Sequence, residues 1–306
     1  MSIRAAVLRH LADVLVPAAE PLRPAALRLG IGAFSGIHHL RRRPMFQQLH
    51  AQDPEQFAPV GPVRILRRPL PARTADALFD AAQVVNALAL AGLAHRLTGP
   101  LNSLLQLWTI SYRNSWGMIL HNDNQLTMHQ VILGLSPAAD ALSLDNALSG
   151  RPQRPHGLER AYGAPATALN IATVAVYFIS GVAKLRSPQG WRWATGSTLR
   201  EQIGADAVRK EVFGSVAPAM AGALYRSRAR FGALAVMALL VELGAPAALA
   251  DRRLGQVFAL GALGMHWGIR VTMGIRFKYN LSGFSYLPLF PLGRQRPAVR
   301  SLLPLR

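Results

Sequence analysis

Lys184 lies at the end of an apolar run, residues 166–185 (ATALNIATVAVYFISGVAKL), in a chain with 34 basic residues but only three lysines, Lys184, Lys210 and Lys278. The residue type matters, because arginine is effectively always charged whereas a desolvated lysine can lose its proton and act as a base. A run of about 20 apolar residues is long enough to cross a bilayer, and an ionisable group inside one is a candidate functional residue. Lysines near helix ends also have a plainer use, laying their methylenes in the apolar zone and their ammonium among headgroups. The Ser187-Pro188 break just beyond Lys184 keeps that use open.

Other polar groups fall inside apolar runs: Asp80, Arg113, Asn114, His129, Asp140, Glu242, His266 and Arg270, with His121 to Asn124 at an expected tight turn. Any one of them reads as an interhelical hydrogen bond. As a set they predict a polar cavity within an apolar bundle. His121, Asp123 and His129 lack the i, i+3 or i, i+4 spacing of helical metal ligands, so no metal is expected. The chain has no cysteine, which excludes disulfides, thiolate metal sites and dithiol redox chemistry. It has no GxGxxG, Walker or GxSxG motif, leaving nucleotide and serine-hydrolase readings unsupported.

The elements that position these groups are read from hydropathy. Apolar runs near residues 25–40, 76–97, 101–120, 125–144, 166–185, 231–250, 255–275 and 279–292 give about eight candidate spans. Short links at Thr98-Gly99-Pro100, His121-Asn122-Asp123-Asn124 and Asp251-Arg252-Arg253 imply antiparallel neighbours. The 306 residues are 51% hydrophobic and 16% charged, with net charge +19. Basic residues gather between the apolar runs, at 41–43, 64–73, 226–230 and 252–253, as in proteins that meet anionic headgroups. No RNA-binding or zinc-finger signature accompanies them, so nucleic acid is not an expected partner. Residues 186–230, with Trp191, Trp193 and a basic pattern from Arg200 to Arg230, read as interfacial helices.

The expected fold is therefore all-α, a polytopic integral membrane bundle of about eight transmembrane segments. A basic segment at 1–23 precedes a membrane domain at 24–292, and a basic tail occupies 293–306. Glu20, Arg23 and Arg28 interrupt any signal-peptide core, so the spans themselves are expected to direct insertion.

Three segments resemble the membrane part, the HTTM domain, of the vitamin K-dependent γ-carboxylase family. The first is Tyr177-Phe178-Ile179-Ser180-Gly181-Val182-Ala183-Lys184-Leu185 with Trp193 and Gly196. The second runs from Ser115-Trp116 through His121-Asn122-Asp123-Asn124 to Ser143-Leu144-Asp145. The third is His266 with Gly283-Phe284-Ser285-Tyr286 and Leu289-Phe290; residues 24–32, with Arg28, also resemble the family's first span. The resemblance implies a prokaryotic-type protein in the plasma membrane, with Lys184 as the base that deprotonates a reduced quinone of the vitamin K or menaquinol type. Oxygen then adds, and the product is a base strong enough to start carboxylation of a peptide or protein glutamate, the lyase step. By the same match His121, Asn124, Trp116, Tyr177 and His266 would bind the quinol. The resemblance extends over the membrane part alone, so the large domain that carries the substrate site in the eukaryotic members is not expected among these 306 residues.

Two functions are compatible with these residues. One is a membrane quinol oxygenase or carboxylase-like enzyme, with Lys184 enclosed, free of a carboxylate, and joined by a cavity to His121, Asn124 and His266. The other is a non-catalytic membrane maturation or assembly factor on the same fold, with Lys184 at the headgroups or paired with an acid such as Glu242 or Asp140. A transporter is disfavoured, since no inverted repeat is visible.

Overall fold

A computed structural model describes residues 12–149 and 157–294, apart from positions 14, 118 and 120. Among the described residues the chain is all-helical, with no strand and one isolated antiparallel bridge between Ala19 and Glu159. Its described residues divide into two compact units, one holding those up to 169 with 291–294 and the other residues 170–290.

The first unit contains α1 (Leu22–Leu40), α2 (Arg43–His50), α3 (Ala72–Ala91), α4 (His95–Asn114), α5 (His121–Gly134) and α6 (Leu144–Leu148). Helices α1, α3, α4 and α5 pack on one another. At 1.5 Å per residue, α1, α3 and α4 are each about 30 Å long. The expected link at Thr98-Gly99-Pro100 instead lies inside α4. The chain turns earlier, because Gly92 (φ +69°) and Ala94 (φ +47°) take the left-handed conformation that ends α3. His121 to Asn124 likewise form the first turn of α5 rather than a link. That helix stops after 14 residues, ahead of Pro137, so 125–144 is not one continuous span.

The interior of this unit is polar. Gln125 and His129 are fully buried, whereas Leu97, Leu104 and Val84 are exposed. A chain of amides crosses it: Gln106 donates to Asn102 (3.3 Å), Asn102 to Gln130 (2.9 Å), Gln130 to Asn86 (3.2 Å), and Asn86 to the Gly32 carbonyl (3.2 Å). Each helix thus satisfies the polar side chains of the next, which is the requirement for burying them.

Helix α7 (Arg160–Arg186) begins in the first unit and ends in the second. Its most apolar 18-residue stretch has a mean hydropathy of 1.7, and it is, among the described residues, the one helix long and apolar enough to cross a membrane. The second unit continues with a 3-10 turn (Gly190–Thr195), α8 (Ser197–Val212), α9 (Ala219–Tyr225), α10 (Arg228–Leu243), a second 3-10 turn (Ala245–Leu249), α11 (Arg252–Met273), α12 (Lys278–Leu281) and a third 3-10 turn (Phe284–Leu289). Asp251 caps α11 by accepting from the backbone N–H groups of Arg253 and Leu254. Val174, Tyr177, Ala245, Phe258, Ala262 and Tyr286 form one core; Ile203, Ala221 and Phe231 form another.

Two runs break where the sequence suggested continuity. Residues 231–250 split at Gly244, just before Pro246, into α10 and a 3-10 turn. Residues 279–292 never make a long helix, because Gly283 (φ +80°) reverses the chain and Pro288 interrupts the segment after it.

Candidate functional site

The motif around Lys184 is built by α7, α10 and the 3-10 turn between α7 and α8. Lys184 sits in the last turn of α7, and its ammonium donates to both carboxylate oxygens of Glu242 on α10, with Nζ–Oε2 at 2.5 Å. The Glu242 side chain is 7% exposed and that of Lys184 25%. The ammonium also lies 5.6 Å from the centre of the Trp193 ring, a cation–π contact. Trp193 is itself held, its indole N–H donating to Ser187 Oγ (3.3 Å).

Two glycines of the motif explain why α10 presents Glu242 here. A Cβ on Gly181 would lie 2.9 Å from Glu242 Cβ and 3.0 Å from Leu243 Cδ2. A Cβ on Gly196 would lie 2.3 Å from the Phe231 carbonyl carbon, and Gly196 also has φ +77°. Only glycine permits both approaches, so α10 is seated near its start by Gly196 and near its end by Gly181. Glu242 then has no choice but to meet Lys184. The sequence offered Glu242 and Asp140 as acids that could pair with Lys184; the structure pairs Glu242 with it, while Asp140 accepts from the Tyr162 hydroxyl (2.9 Å).

Tyr177 is two turns before Lys184 on α7 and is buried. Its hydroxyl lies 2.5 Å from the Tyr286 hydroxyl and 3.2 Å from His266 Nδ1, and it accepts from Asn280 Nδ2 (3.2 Å). His266 Nδ1 donates to the Ala262 carbonyl (2.9 Å), which defines its tautomer. Of the residues named from sequence, Lys184, Tyr177 and His266 thus belong to the second unit, and the last two touch. Asn280 was not anticipated, since it lies on the short α12 where a continuous span was expected; its only signal was an amide within an apolar run.

Trp116, His121 and Asn124 belong to the first unit. Trp116 is buried against Phe57 (5.1 Å between ring centres) and Tyr112. Asn124 accepts from Asn114 Nδ2 (3.0 Å), while His121 opens α5 with its side chain exposed. Their neighbour Asp123 binds Arg42 (2.9 Å) and His38 (3.4 Å). Asp123 therefore closes the join of α1 and α2 onto α5 as an ion pair. Among the described residues no three His, Asp or Glu side chains converge as a metal site.

The remaining motif residues have structural roles that sequence reading missed. Asp145 accepts from the backbone N–H groups of Ala94 (2.8 Å) and His95 (3.2 Å), capping α4 from the far side of the turn. Arg28 is buried and its guanidinium donates to the carbonyls of Ala138 (3.0 Å), Ala89 (3.2 Å), Leu90, Ala141 (3.4 Å) and Leu142 (2.6 Å). It ties the end of α3 to the loop after α5. Chemically, the second unit offers a held ion pair and a set of hydroxyl, imidazole and amide groups; the first offers helix-joining contacts.

No family model, no curated protein and no solved structure matches this chain.

Proposed function

We propose that this chain is an integral, polytopic protein of a prokaryotic plasma membrane that keeps the architecture of the carboxylase membrane part without its quinol chemistry, acting as a maturation or assembly factor. The observation that carries the non-catalytic reading is the pairing of Lys184 with Glu242. Both carboxylate oxygens take up the ammonium, so the residue that would serve as base instead fastens α7 to α10. Such a pair is the arrangement expected of a scaffold. The membrane reading is supported by inverted burial. Glutamines and histidines are inside, while Leu97, Leu104, Ile179, Leu240, Val257 and Leu260 face outward from long helices.

A second reading, oxygenation of a reduced quinone with Lys184 as base, is favoured by the buried cluster that His266, Tyr286 and Asn280 form around Tyr177, which shares α7 with Lys184. Such groups suit the orientation of a quinol hydroxyl and the movement of its proton.

The test is made on protein reconstituted in lipid vesicles. Retention in the vesicles through an alkaline wash is expected, and release by that wash would remove the membrane reading. With reduced menaquinone or phylloquinone supplied, the wild type is expected to form no quinone epoxide and to consume no oxygen. Epoxide from the wild type that disappears in Lys184→Ala, with both proteins folded, would replace the scaffold by the oxygenase.

A further inference from the structure

The loop before α3 is fastened to the end of α4. Val63, in a short 3-10 turn (Gly61–Ile65), is fully buried in a cluster with Tyr112 and Trp116. The backbone is pinned on both sides of it. The Ala58 N–H donates to the Ser115 carbonyl (2.8 Å), the Val60 N–H to Ser115 Oγ (3.1 Å) and the Leu70 N–H to the Tyr112 hydroxyl (3.0 Å). What this frame presents outward is Arg64, Ile65, Arg67 and Arg68, all exposed, with Ile65 77% so. Arg73, also exposed, follows in the first turn of α3.

These arginines are not neutralised from within. Residues 57–75 contain four arginines and no acid. The carboxylates of this end of the unit serve other groups: Asp76 holds His50 (2.7 Å), Asp80 holds Arg43 (2.6 Å) and Asp123 holds Arg42 (2.9 Å). Asp53 and Glu55, earlier in the same loop, leave positive charge in excess. Depth along α4 says what meets it. Leu97, Leu101 and Leu104 are exposed on that helix, and the loop is pinned to Tyr112 and Ser115, roughly 12–17 Å further along its axis. A helix of this length matches the hydrocarbon thickness, so with its leucines in lipid the loop falls at headgroup level. An isoleucine set among unpaired arginines fits a surface that is negative above and apolar beneath.

We propose that the loop over residues 61–73 docks on the headgroups of an anionic bilayer, with Arg64, Arg67, Arg68 and Arg73 binding the lipid phosphates and Ile65 entering the apolar boundary beside them. This rests on the membrane reading above and assigns to one segment the lipid class it recognises.

The absence of cysteine allows single-site labelling without background. Ile65→Cys and, as a reference on the outward face of α3, Val84→Cys carry an environment-sensitive fluorophore in the full-length protein. Each is reconstituted in phosphatidylcholine vesicles with or without phosphatidylglycerol. The expected result at 65 is a blue-shifted emission, quenched by lipids spin-labelled near the headgroup and shielded from iodide. The label at 84 is quenched instead by lipids spin-labelled deep in the acyl chain. Adding phosphatidylglycerol deepens the shift at 65, and Arg64→Gln/Arg67→Gln/Arg68→Gln removes that increment while leaving the label at 84 unchanged. A label at 65 that stays open to iodide, or that responds identically with and without phosphatidylglycerol, while 84 is quenched from the acyl chain, would overturn the inference and leave the membrane reading standing. Shielding at 65 from iodide without lipid quenching would put protein rather than lipid on the loop and overturn it equally. A label at 84 that no spin-labelled lipid reaches would overturn both.

Discussion

The ammonium of Lys184 donates to both carboxylate oxygens of Glu242, a residue 58 positions further along the chain. The contact is prepared by two glycines rather than by the charged residues themselves. Gly181 lets the end of α10 approach α7, and Gly196 seats its start. The non-catalytic reading rests on this same pair, in which the candidate base meets a carboxylate on a second helix.

Breaking the pair from one side should cost more than removing it. Lys184→Met leaves a carboxylate that is 7% exposed without its cation. Removing one partner of a buried pair costs about 3–5 kcal/mol, whereas replacing both by apolar groups is often near neutral. Lys184→Met and Glu242→Leu are each expected to lower thermal stability in detergent or vesicles, and the double variant Lys184→Met/Glu242→Leu to recover most of it. Additive losses in this double-mutant cycle would refute a direct coupling.

Gly181 should tolerate no side chain. In a helix, Gly→Ala gains about 1 kcal/mol of propensity, but overpacking costs roughly 1–3 kcal/mol. With a Cβ only 2.9 Å from Glu242 Cβ, the overpacking wins. Gly181→Ala is expected to lower the melting temperature modestly and Gly181→Val severely. Gly196→Ala is expected to be worse than Gly181→Ala, since it adds left-handed strain to a closer clash. A Gly181→Ala protein more stable than wild type would show that α10 is not seated as described.

Asp206 should make stability depend on acid. Burial by itself raises its carboxyl, but hydrogen bonds from Lys210 (2.5 Å) and Arg209 (2.6 Å) outweigh burial and hold it below its ordinary value of 3.8. Lys210 in turn donates to the Met273 carbonyl at the end of α11. With the folded value depressed, the unfolded chain binds the extra proton. The contribution is therefore complete above 3.8 and is lost as pH falls through the folded value. Asp206→Asn is expected to be less stable than wild type at neutral pH, with the gap closing below about pH 4. Melting curves taken down the acid range measure this, and a gap independent of pH would reject it.

Arg28 should not be replaceable by lysine. Its guanidinium serves five carbonyls, and an ammonium has three donors. Each buried carbonyl left without a donor costs about 1–3 kcal/mol. Arg28→Lys is expected to destabilise the first unit by several kcal/mol, read as increased hydrogen exchange at α3 and at residues 138–142. Exchange unchanged there would mean that other donors hold those carbonyls.

Much of this was legible in one dimension, and for a physical reason. Hydropathy and helix-breaking residues act over a few positions, so the all-helical class, the apolar character of α7 and the special placement of Lys184 can be read from the chain itself. The breaks were less legible. Gly92 and Ala94 end α3 earlier than the Thr98-Gly99-Pro100 triplet suggested, because left-handed residues stop a helix outright, while Pro100 falls inside α4 at the loss of one backbone hydrogen bond. Partnership is the part that only the tertiary structure decided. Glu242 is one acid among several in apolar runs, and Asn280 one amide, and no local rule says which distant residue each will meet. Packing assigns them: where a glycine lets two helices touch, the polar groups beside it must satisfy each other, because neither can be left bare inside an apolar bundle.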